Sequence, residues 1–289
     1  SQGRYFLAYA LYRQGRYEEA LRQVRSINTT EDSPGAAYSD LQRLETILLW
    51  RSGEVIGAEK SARSYVERYP DDMPARIDHF RLLYHMEQWD EIVILATKLS
   101  NIVPDLRFRN PRAFLLISYL KGLAHIALGD DTDAADTMAK VTMDLAEKHG
   151  VEEIVPYARY YQATAQFRTG NYFIVNKIIE DFQKSYPNHK LEHHAAFLSG
   201  QAAFSAGDYL KSGIDFMRAA SGDQSYALRA RLMAGRSFSN SGDLKEAKQQ
   251  YRSIVTSSPT SDEAADALYE LAGILSLDGH LREATQVYD

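Results

Sequence analysis

Residues 242–247, Gly-Asp-Leu-Lys-Glu-Ala, are one copy of a short motif that recurs along the whole chain. The motif is a glycine, a polar residue, an aromatic residue or leucine, two variable residues and an alanine. Clear copies are residues 15–20, 129–134, 242–247 and 279–284, and weaker copies are residues 53–58, 87–92, 170–175 and 207–212. The copies begin 34 to 42 residues apart. A period of this length is the sequence signature of a stacked repeat protein.

Proline fixes the phase of the repeat. In four copies it lies 17 residues after the first motif position, at Pro70, Pro104, Pro187 and Pro259. Glycine just past a helix end adopts the left-handed conformation that closes the helix, whereas proline cannot continue one. Between these marks apolar residues recur at three- and four-residue steps, as at Leu41, Leu44 and Leu48, and no stretch alternates like a strand. The sequence therefore predicts an all-α chain in which each unit is helix, tight turn, helix, turn.

These features resemble the tetratricopeptide (TPR) repeat, which has a small residue at position 8, the glycine-led motif from position 15 and proline at position 32. Position 8 is small in six units, at Ala8, Gly122, Ala163, Gly200, Gly235 and Ala272, and two units depart from the pattern, with Thr46 and Phe80. The resemblance covers essentially the whole chain. It implies a right-handed superhelical solenoid of antiparallel helix pairs, with seven to eight repeats in a single body spanning residues 1–289.

Two intervals are longer than the family unit and predict where the solenoid is irregular. Residues 101–110 are expected to form an ordered loop or extended turn, as a spacer with Phe108 buried; a protruding contact loop is the less favoured interpretation. Residues 149–156 are expected to add a turn of helix on either side of Gly150. The phase also places residue 1 inside a first helix and residue 289 inside a last one, so we expect the chain to be a fragment of a longer array.

Composition excludes several classes of function. The 33 Lys and Arg residues against 39 Asp and Glu give a net charge of -6, which provides no global field for nucleic acid. The longest apolar stretch, residues 113–129, contains Lys121 and His125, so no membrane insertion is predicted. There is no cysteine, which removes thiol nucleophiles and cysteine metal ligands.

No catalytic or cofactor signature is present. The chain lacks a Gly-x-Ser-x-Gly elbow and a Walker-type lysine loop, so we expect neither an enzyme nor a cofactor. His189, His193 and His194 form a cluster whose spacing could place two imidazoles on one helical face. They lack the His-Glu-x-x-His arrangement of a zinc site. The favoured interpretation is an exposed histidine-rich turn, and no metal is predicted.

The TPR resemblance implies a binding surface on the first helices, at repeat positions 2, 5, 9, 12 and 13. In this chain those positions are rich in arginine and aromatic residues, and Asp40 and Asp266 are their only acids. The predicted partner-binding residues are Tyr5, Tyr9, Tyr12, Arg13, Arg43, Trp50, Arg51, Arg81, Tyr84, Tyr119, Tyr157, Tyr160, Arg168, Arg229 and Arg236. Arginine and tyrosine are typical of interaction hot spots. The alternative for the tyrosines is packing against neighbouring helices.

The predicted function is a non-catalytic scaffold that binds an extended or helical peptide segment of a partner protein, with an acidic segment favoured by the arginines. The alternative is a self-assembling protein that forms homo-oligomers through its solenoid ends or convex face. The Tyr-Pro pairs at 69–70 and 186–187 are similar to those of bacterial cell-envelope TPR proteins. That likeness favours a periplasmic or envelope-associated role in complex assembly over a cytoplasmic one.

Overall fold

The computed structural model describes residues 2–27, 36–222, 224–277, 279, 280, 282 and 284. Within these residues every regular element is helical and none is a strand. The first helices of successive repeats are α1 (Gln2–Arg13), α3 (Ala36–Arg51), α5 (Met73–His85), α8 (Pro111–Leu128), α11 (Val155–Arg168), α13 (Glu192–Ser205), α15 (Gln224–Ser241) and α17 (Asp262–Leu277). The second helices are α2 (Tyr17–Arg25), α4 (Val55–Arg68), α6 (Trp89–Ile102), α9 (Asp131–Ala139), α12 (Tyr172–Ser185), α14 (Tyr209–Ala220) and α16 (Leu244–Ser257). The prediction of an all-α solenoid of helix pairs is confirmed.

The turn between paired helices has the predicted left-handed backbone in all eight repeats. The first motif position has a φ between 56° and 86° in every copy. Seven of these residues are glycine, and the eighth is Glu87. The four repeat prolines each lie two residues beyond the end of a second helix, because α4, α6, α12 and α16 end at residues 68, 102, 185 and 257. Glycine and proline therefore divide the chain as the sequence predicts.

Small residues allow the paired helices to approach closely. Alanine at motif position 6 is buried in five repeats, and the substitutes Ile92, Val175 and Ser212 are buried as well. A Cβ added at Gly200 would lie 2.9 Å from the ring of Phe216, and one added at Gly235 would lie 2.5 Å from the ring of Tyr251. Only glycine fits at these two contacts.

The first of the two irregular segments differs from its prediction. Residues 101–110 contain the last residues of α6 and a one-turn helix, α7 (Leu106–Arg109). Phe108 is 83% exposed, so the prediction that it is buried is wrong. Leu106 is buried in its place, at 6% exposure. A single helical turn can direct one of these two neighbouring side chains inward, and Leu106 has that position.

The second irregular segment agrees with its prediction. The helix α10 (Met143–Glu147) precedes Gly150, and a 3-10 turn, Glu152–Ile154, follows it. Gly150 has a φ of 63°, which allows the chain to reverse between these two short elements.

The chain divides into two compact units. Unit 1 comprises residues 1–130 and 140–152, and unit 2 comprises residues 131–139 and 153–289. The boundary passes through the fourth repeat, because α8 belongs to unit 1 and α9 to unit 2. Within each unit, helices pack mainly against their neighbours in the chain. The description of residues 1–289 as a single solenoid stays a prediction.

Among the described residues, no helix combines the length and the apolar character that crossing a membrane requires.

Candidate partner-binding surface

All fifteen residues of the predicted binding surface lie on first helices. Those from Tyr5 to Tyr119 belong to unit 1, and those from Tyr157 to Arg236 belong to unit 2. Each unit therefore has its own share of the predicted surface.

The aromatic residues of unit 1 fall into two groups. Tyr5, Tyr12 and Trp50 are half-buried and pack against the apolar core of the first repeats. Tyr9 and Tyr84 are 44% and 40% exposed. The packing alternative therefore describes the first group, whereas Tyr9 and Tyr84 present part of their rings to solvent. Tyr119 is half-buried on α8.

The two predicted tyrosines of unit 2 are both half-buried. Tyr157 lies edge-on to the ring of His189, with centroids 5.4 Å apart. Tyr160 packs against the core formed by α11, α12 and α13, and burial raises the pKa of its hydroxyl. Packing accounts for most of the ring area of both residues.

Two arginines of unit 1 have acidic neighbours. Arg81 Nη1 lies 3.2 Å from Asp78 Oδ1, one turn earlier on the same helix. Arg43 Nη1 lies 3.9 Å from Asp72 Oδ2, a carboxylate that also accepts hydrogen bonds from the Tyr65 hydroxyl and the Ala75 N–H. Arg43 is therefore only loosely paired, and most of its donors are not directed at this carboxylate.

In unit 2 the pairing is tighter. Arg236 binds Asp266 Oδ2 at 3.0 Å and Glu270 Oε1 at 2.9 Å, so α15 and α17 are joined by two carboxylates. Arg168 Nη1 lies 3.3 Å from Asp131 Oδ1. Two of these three partners, Asp131 and Glu270, lie outside the repeat positions considered in the sequence, so the scarcity of acids at those positions does not leave Arg168 and Arg236 unpaired.

Three predicted arginines are exposed and have no ion pair within the described part of the chain: Arg13, Arg51 and Arg229. Arg13 and Arg51 are the last residues of α1 and α3, where a cation also interacts favourably with the helix dipole.

The predicted arginines Arg43 and Arg81 contribute to a groove of unit 1, which we call the α3–α5–α8 groove. Its volume is about 330 Å³. The residues that line it are Arg43, Met73, Pro74, Ile77, Asp78, Arg81, Asn110, Arg112 and Leu116. Three guanidinium groups and one carboxylate thus surround an apolar base, of which Met73, Ile77 and Leu116 are buried.

Arg112 is a groove residue that the sequence positions did not identify. Its Nη1 donates hydrogen bonds to the backbone carbonyls of His149 at 2.9 Å and Gly150 at 3.0 Å. No carboxylate within the described residues pairs with it, so its charge is held in place but not neutralised. The available signal is the Asn110-Pro111 pair, since Asn at a cap and Pro in the first turn mark a helix start earlier than the repeat phase does.

Asp78 is the single acid of the groove. Burial raises the pKa of its carboxyl, although Arg81 and Arg43 act to lower it. The attraction of the two arginines therefore does not fully offset the effect of burial on this carboxyl group. The groove retains an excess of positive charge, which is opposite in sign to the net charge of the whole chain.

The three clustered histidines bind separate groups. His189, His193 and His194 contact, in that order, the backbone N–H of Leu191, the carbonyl of Arg218 and the ring of Tyr226. Among the residues that the structure describes, no three His, Asp or Glu side chains are arranged to hold a metal ion.

A buried polar cluster in unit 2 contains residue types that also occur in nucleophilic catalysis. Ser199 Oγ donates to Asp215 Oδ2 at 2.7 Å, and Lys211 Nζ donates to the same oxygen at 2.8 Å. Ser199 and Asp215 are 1% and 4% exposed, so a substrate has no access to the hydroxyl. The cluster satisfies polar groups at the contact between α13 and α14.

Two parts of the sequence match family models described as tetratricopeptide repeat: residues 1–26 and residues 229–261. No curated protein sequence matches the chain significantly.

Solved structures of TPR proteins share the fold at low sequence identity. The C-terminal part of a TPR repeat-containing protein from Cytophaga hutchinsonii matches with a TM-score of 0.66 and 14% identity, covering 91% of this chain and 99% of that one. A TPR protein from Parabacteroides merdae matches at 0.55 and 14%, covering 93% and 97%. PilW, a type IV pilus biogenesis factor, matches at 0.51 and 13%, covering 81% and 100%. The matched segments are thus tetratricopeptide repeats, and the chain has the all-α repeat fold of TPR proteins.

Proposed function

We propose that this chain is a non-catalytic protein-interaction scaffold whose α3–α5–α8 groove binds an acidic peptide segment of a partner protein. The observation that carries the proposal is the set of three arginines, Arg43, Arg81 and Arg112, facing one carboxylate across an apolar base. TPR repeats support the general role, because such arrays present extended surfaces to protein ligands.

The groove has the chemistry for two kinds of contact. Guanidinium groups bind carboxylates through paired hydrogen bonds, and the contact is stronger where water is partly excluded. The buried residues Met73, Ile77 and Leu116 supply an apolar surface beneath these charges. An acidic residue next to an apolar one in an extended segment would satisfy both features of the groove.

The test uses a fluorescently labelled, extended peptide in which Asp and Glu alternate with Val. We expect Arg43→Ala combined with Arg81→Ala to raise its Kd about tenfold, since two charged contacts of modest energy are lost. Fluorescence anisotropy measures the Kd, and circular dichroism checks that the helical content is unchanged.

Arg252→Ala is the matched control, because Arg252 is exposed on the second helix α16. It should leave the Kd unchanged. The proposal fails if the double variant binds the acidic peptide as well as the original chain does, or if a counterpart peptide with lysine in place of the acids binds equally well.

Self-assembly is a second candidate function, favoured by apolar side chains exposed on second helices of unit 2. Phe173, Leu210 and Ile214 are 82%, 55% and 53% exposed. Exposed apolar side chains of this size are frequent in protein contacts. An assembly role in the cell envelope stays a prediction, based on the Tyr-Pro pairs in the sequence and on the likeness of the fold to PilW.

A further inference from the structure

The outer face of α6 carries a stripe of exposed residues, which we call the α6 stripe: Ile94, Lys98 and Ile102. They are four residues apart, so they share one face of the helix and span about 12 Å along its axis. Ile94 and Ile102 are 59% and 66% exposed, and Lys98 is exposed between them. The stripe thus has a cationic group between two apolar ones.

Depressions flank the α6 stripe on both sides. One has a volume of about 270 Å³ and is lined in part by Val66, Phe80 and Leu95. The other is more open, at about 600 Å³, and is lined by residues of α6 alone. The first is also lined by Arg63, Glu67, Arg76 and His79, so it combines apolar and charged groups. Lys98 and Ile102 line both, so they lie between this depression and the open outer surface of α6.

Phe108 is an exposed aromatic residue shortly after the end of α6. The helix α7 begins four residues after α6 ends, and Phe108 is six residues from Ile102. Their Cα atoms therefore cannot be more than about 20 Å apart. Phe108 is 83% exposed and stands between two exposed arginines, Arg107 and Arg109.

The charge of this region differs in sign from that of the chain. Lys98 and Arg107 have no ion pair within the described residues, and Arg107 lies 5.9 Å from the ring centroid of Phe114. Arg109 has a long contact of 3.9 Å with Asp105. Arg63, Arg76 and Glu67 also line the depression beside Lys98, and Arg63 is paired with Glu59 and Glu91. Cations therefore still outnumber acids around the exposed apolar groups, in a chain whose net charge is -6.

We propose that the α6 stripe and Phe108 form a second partner-binding surface, and that its ligand is an acidic amphipathic helix of another protein. The apolar face of that helix would cover Ile94, Ile102 and Phe108, and its carboxylates would bind Lys98 and Arg107. Aromatic and arginine side chains supply much of the energy of such contacts, and opposite charge sets their specificity. The surface is formed by a second helix and by α7, so it is independent of the α3–α5–α8 groove.

The test uses a labelled helix-forming peptide in which leucines on one face alternate with glutamates on the other. Fluorescence anisotropy with the full chain should show saturable binding. Phe108→Ala should raise the Kd at least about tenfold, and Lys98→Glu should raise it further because attraction becomes repulsion.

Two substitutions are matched controls. Phe173→Ala removes an equally exposed phenylalanine from α12, and Lys245→Glu reverses an exposed lysine on α16. Both should leave the Kd unchanged. The double variant Arg43→Ala with Arg81→Ala should also leave it unchanged, since these arginines belong to the α3–α5–α8 groove, so the two proposals can fail separately.

The proposal is overturned if the peptide does not bind, if Phe108→Ala and Lys98→Glu bind it normally, or if a lysine-and-leucine counterpart binds equally well. It is also overturned if the two variants instead lose binding to vesicles of phosphatidylserine and phosphatidylcholine, since the ligand would then be a membrane surface. The chain could also dimerise with rising concentration and not bind the peptide. If Phe108→Ala abolishes that dimerisation, the ligand of this surface is a second copy of the chain and the proposal is overturned.

Discussion

Glu87 occupies the turn position at which the other seven repeats carry glycine, and its φ of 56° lies in the same left-handed region. The turn is nevertheless closed in the usual way. The Glu87 N–H donates to the carbonyl of Tyr84 at 3.1 Å, and the Gln88 N–H donates to that of Leu83 at 2.9 Å. Because a side chain in the left-handed region is strained, the backbone bonds and the packing of α5 and α6 must maintain this conformation against an unfavourable local energy.

Glu87→Gly should therefore stabilise the protein. Relief of the left-handed strain favours glycine by about 1–2 kcal/mol, and the greater freedom of glycine in the unfolded chain offsets about 0.5–1 kcal/mol of it. We expect a net gain of about 0.5–1 kcal/mol in the free energy of unfolding, measured by urea denaturation.

The reciprocal substitution Gly170→Ala is its control. A Cβ at Gly170 would have nothing within 4 Å, so any loss of stability comes from the backbone alone. An unchanged unfolding midpoint in both variants would contradict this account of the turn.

At the scale of the helix pair, the size of one residue is matched by the size of another sixteen residues later. Glycine at 200 and 235 is followed by Phe216 and Tyr251, whose rings fill the space where a Cβ would be. Where Phe80 takes the small-residue position, the residue sixteen places on is Ala96, and both are buried. The departure of Phe80 from the repeat pattern is therefore compensated on the paired helix, and the interaxial space stays filled.

Gly235→Ala tests this size matching. The added Cβ would lie 2.5 Å from Tyr251 Cε1, and Tyr251 is fully buried, so the ring has no space to move. We expect a loss of about 2–3 kcal/mol in the free energy of unfolding, as for overpacking in a core.

Gly273→Ala is the matched control for this substitution, since Gly273 is an exposed interior residue of α17 with no atom near the added Cβ. It should gain about 0.5–1 kcal/mol, because alanine favours a helix interior over glycine. Equal effects of the two substitutions on the free energy of unfolding would show that the close contact with Tyr251 does not exclude a larger residue at position 235.

For the whole molecule, the arrangement of surface groups differs between the two units. In unit 1 the first helices form a cationic groove with three arginines and one acid. In unit 2 Arg168 and Arg236 are paired with acids. Second helices of both units carry exposed apolar groups, such as Ile94 and Ile102 in unit 1 and Phe173 and Leu210 in unit 2. The proposed peptide groove therefore belongs to unit 1, and the candidate self-association surface around Phe173 and Leu210 belongs to unit 2.

Sedimentation velocity over a range of concentrations separates the two candidate functions. A scaffold without self-association has a sedimentation coefficient that does not rise with concentration. Self-assembly through second helices of unit 2 raises it, and Phe173→Glu combined with Leu210→Glu should abolish the rise, since two charges cannot be buried in an apolar contact. A rise that persists in this double variant would exclude that surface.

The repeat can be read from the amino-acid sequence alone, because the turn glycines, the prolines and the helical periodicity act within a few residues of the chain. The sequence predicted the helix pairs, the left-handed turns and the first helices that carry Arg43 and Arg81. These features depend on backbone conformation and on packing between neighbouring helices, and both follow from the spacing of glycine, proline and apolar residues along the chain.

Four features depend on the folded chain and were not predictable from the sequence. These are which arginines are neutralised, the place of Arg112 in the groove, the exposure of Phe108 and the division into two compact units. Asp131 and Arg168 are 37 residues apart, as are His149 and Arg112. Whether such residues meet depends on how successive helices stack, and a one-residue change in the phase of a helix rotates its side chains by about 100°. Charge pairing and exposure therefore follow from the stacking of the repeats, whereas the repeats themselves follow from the sequence.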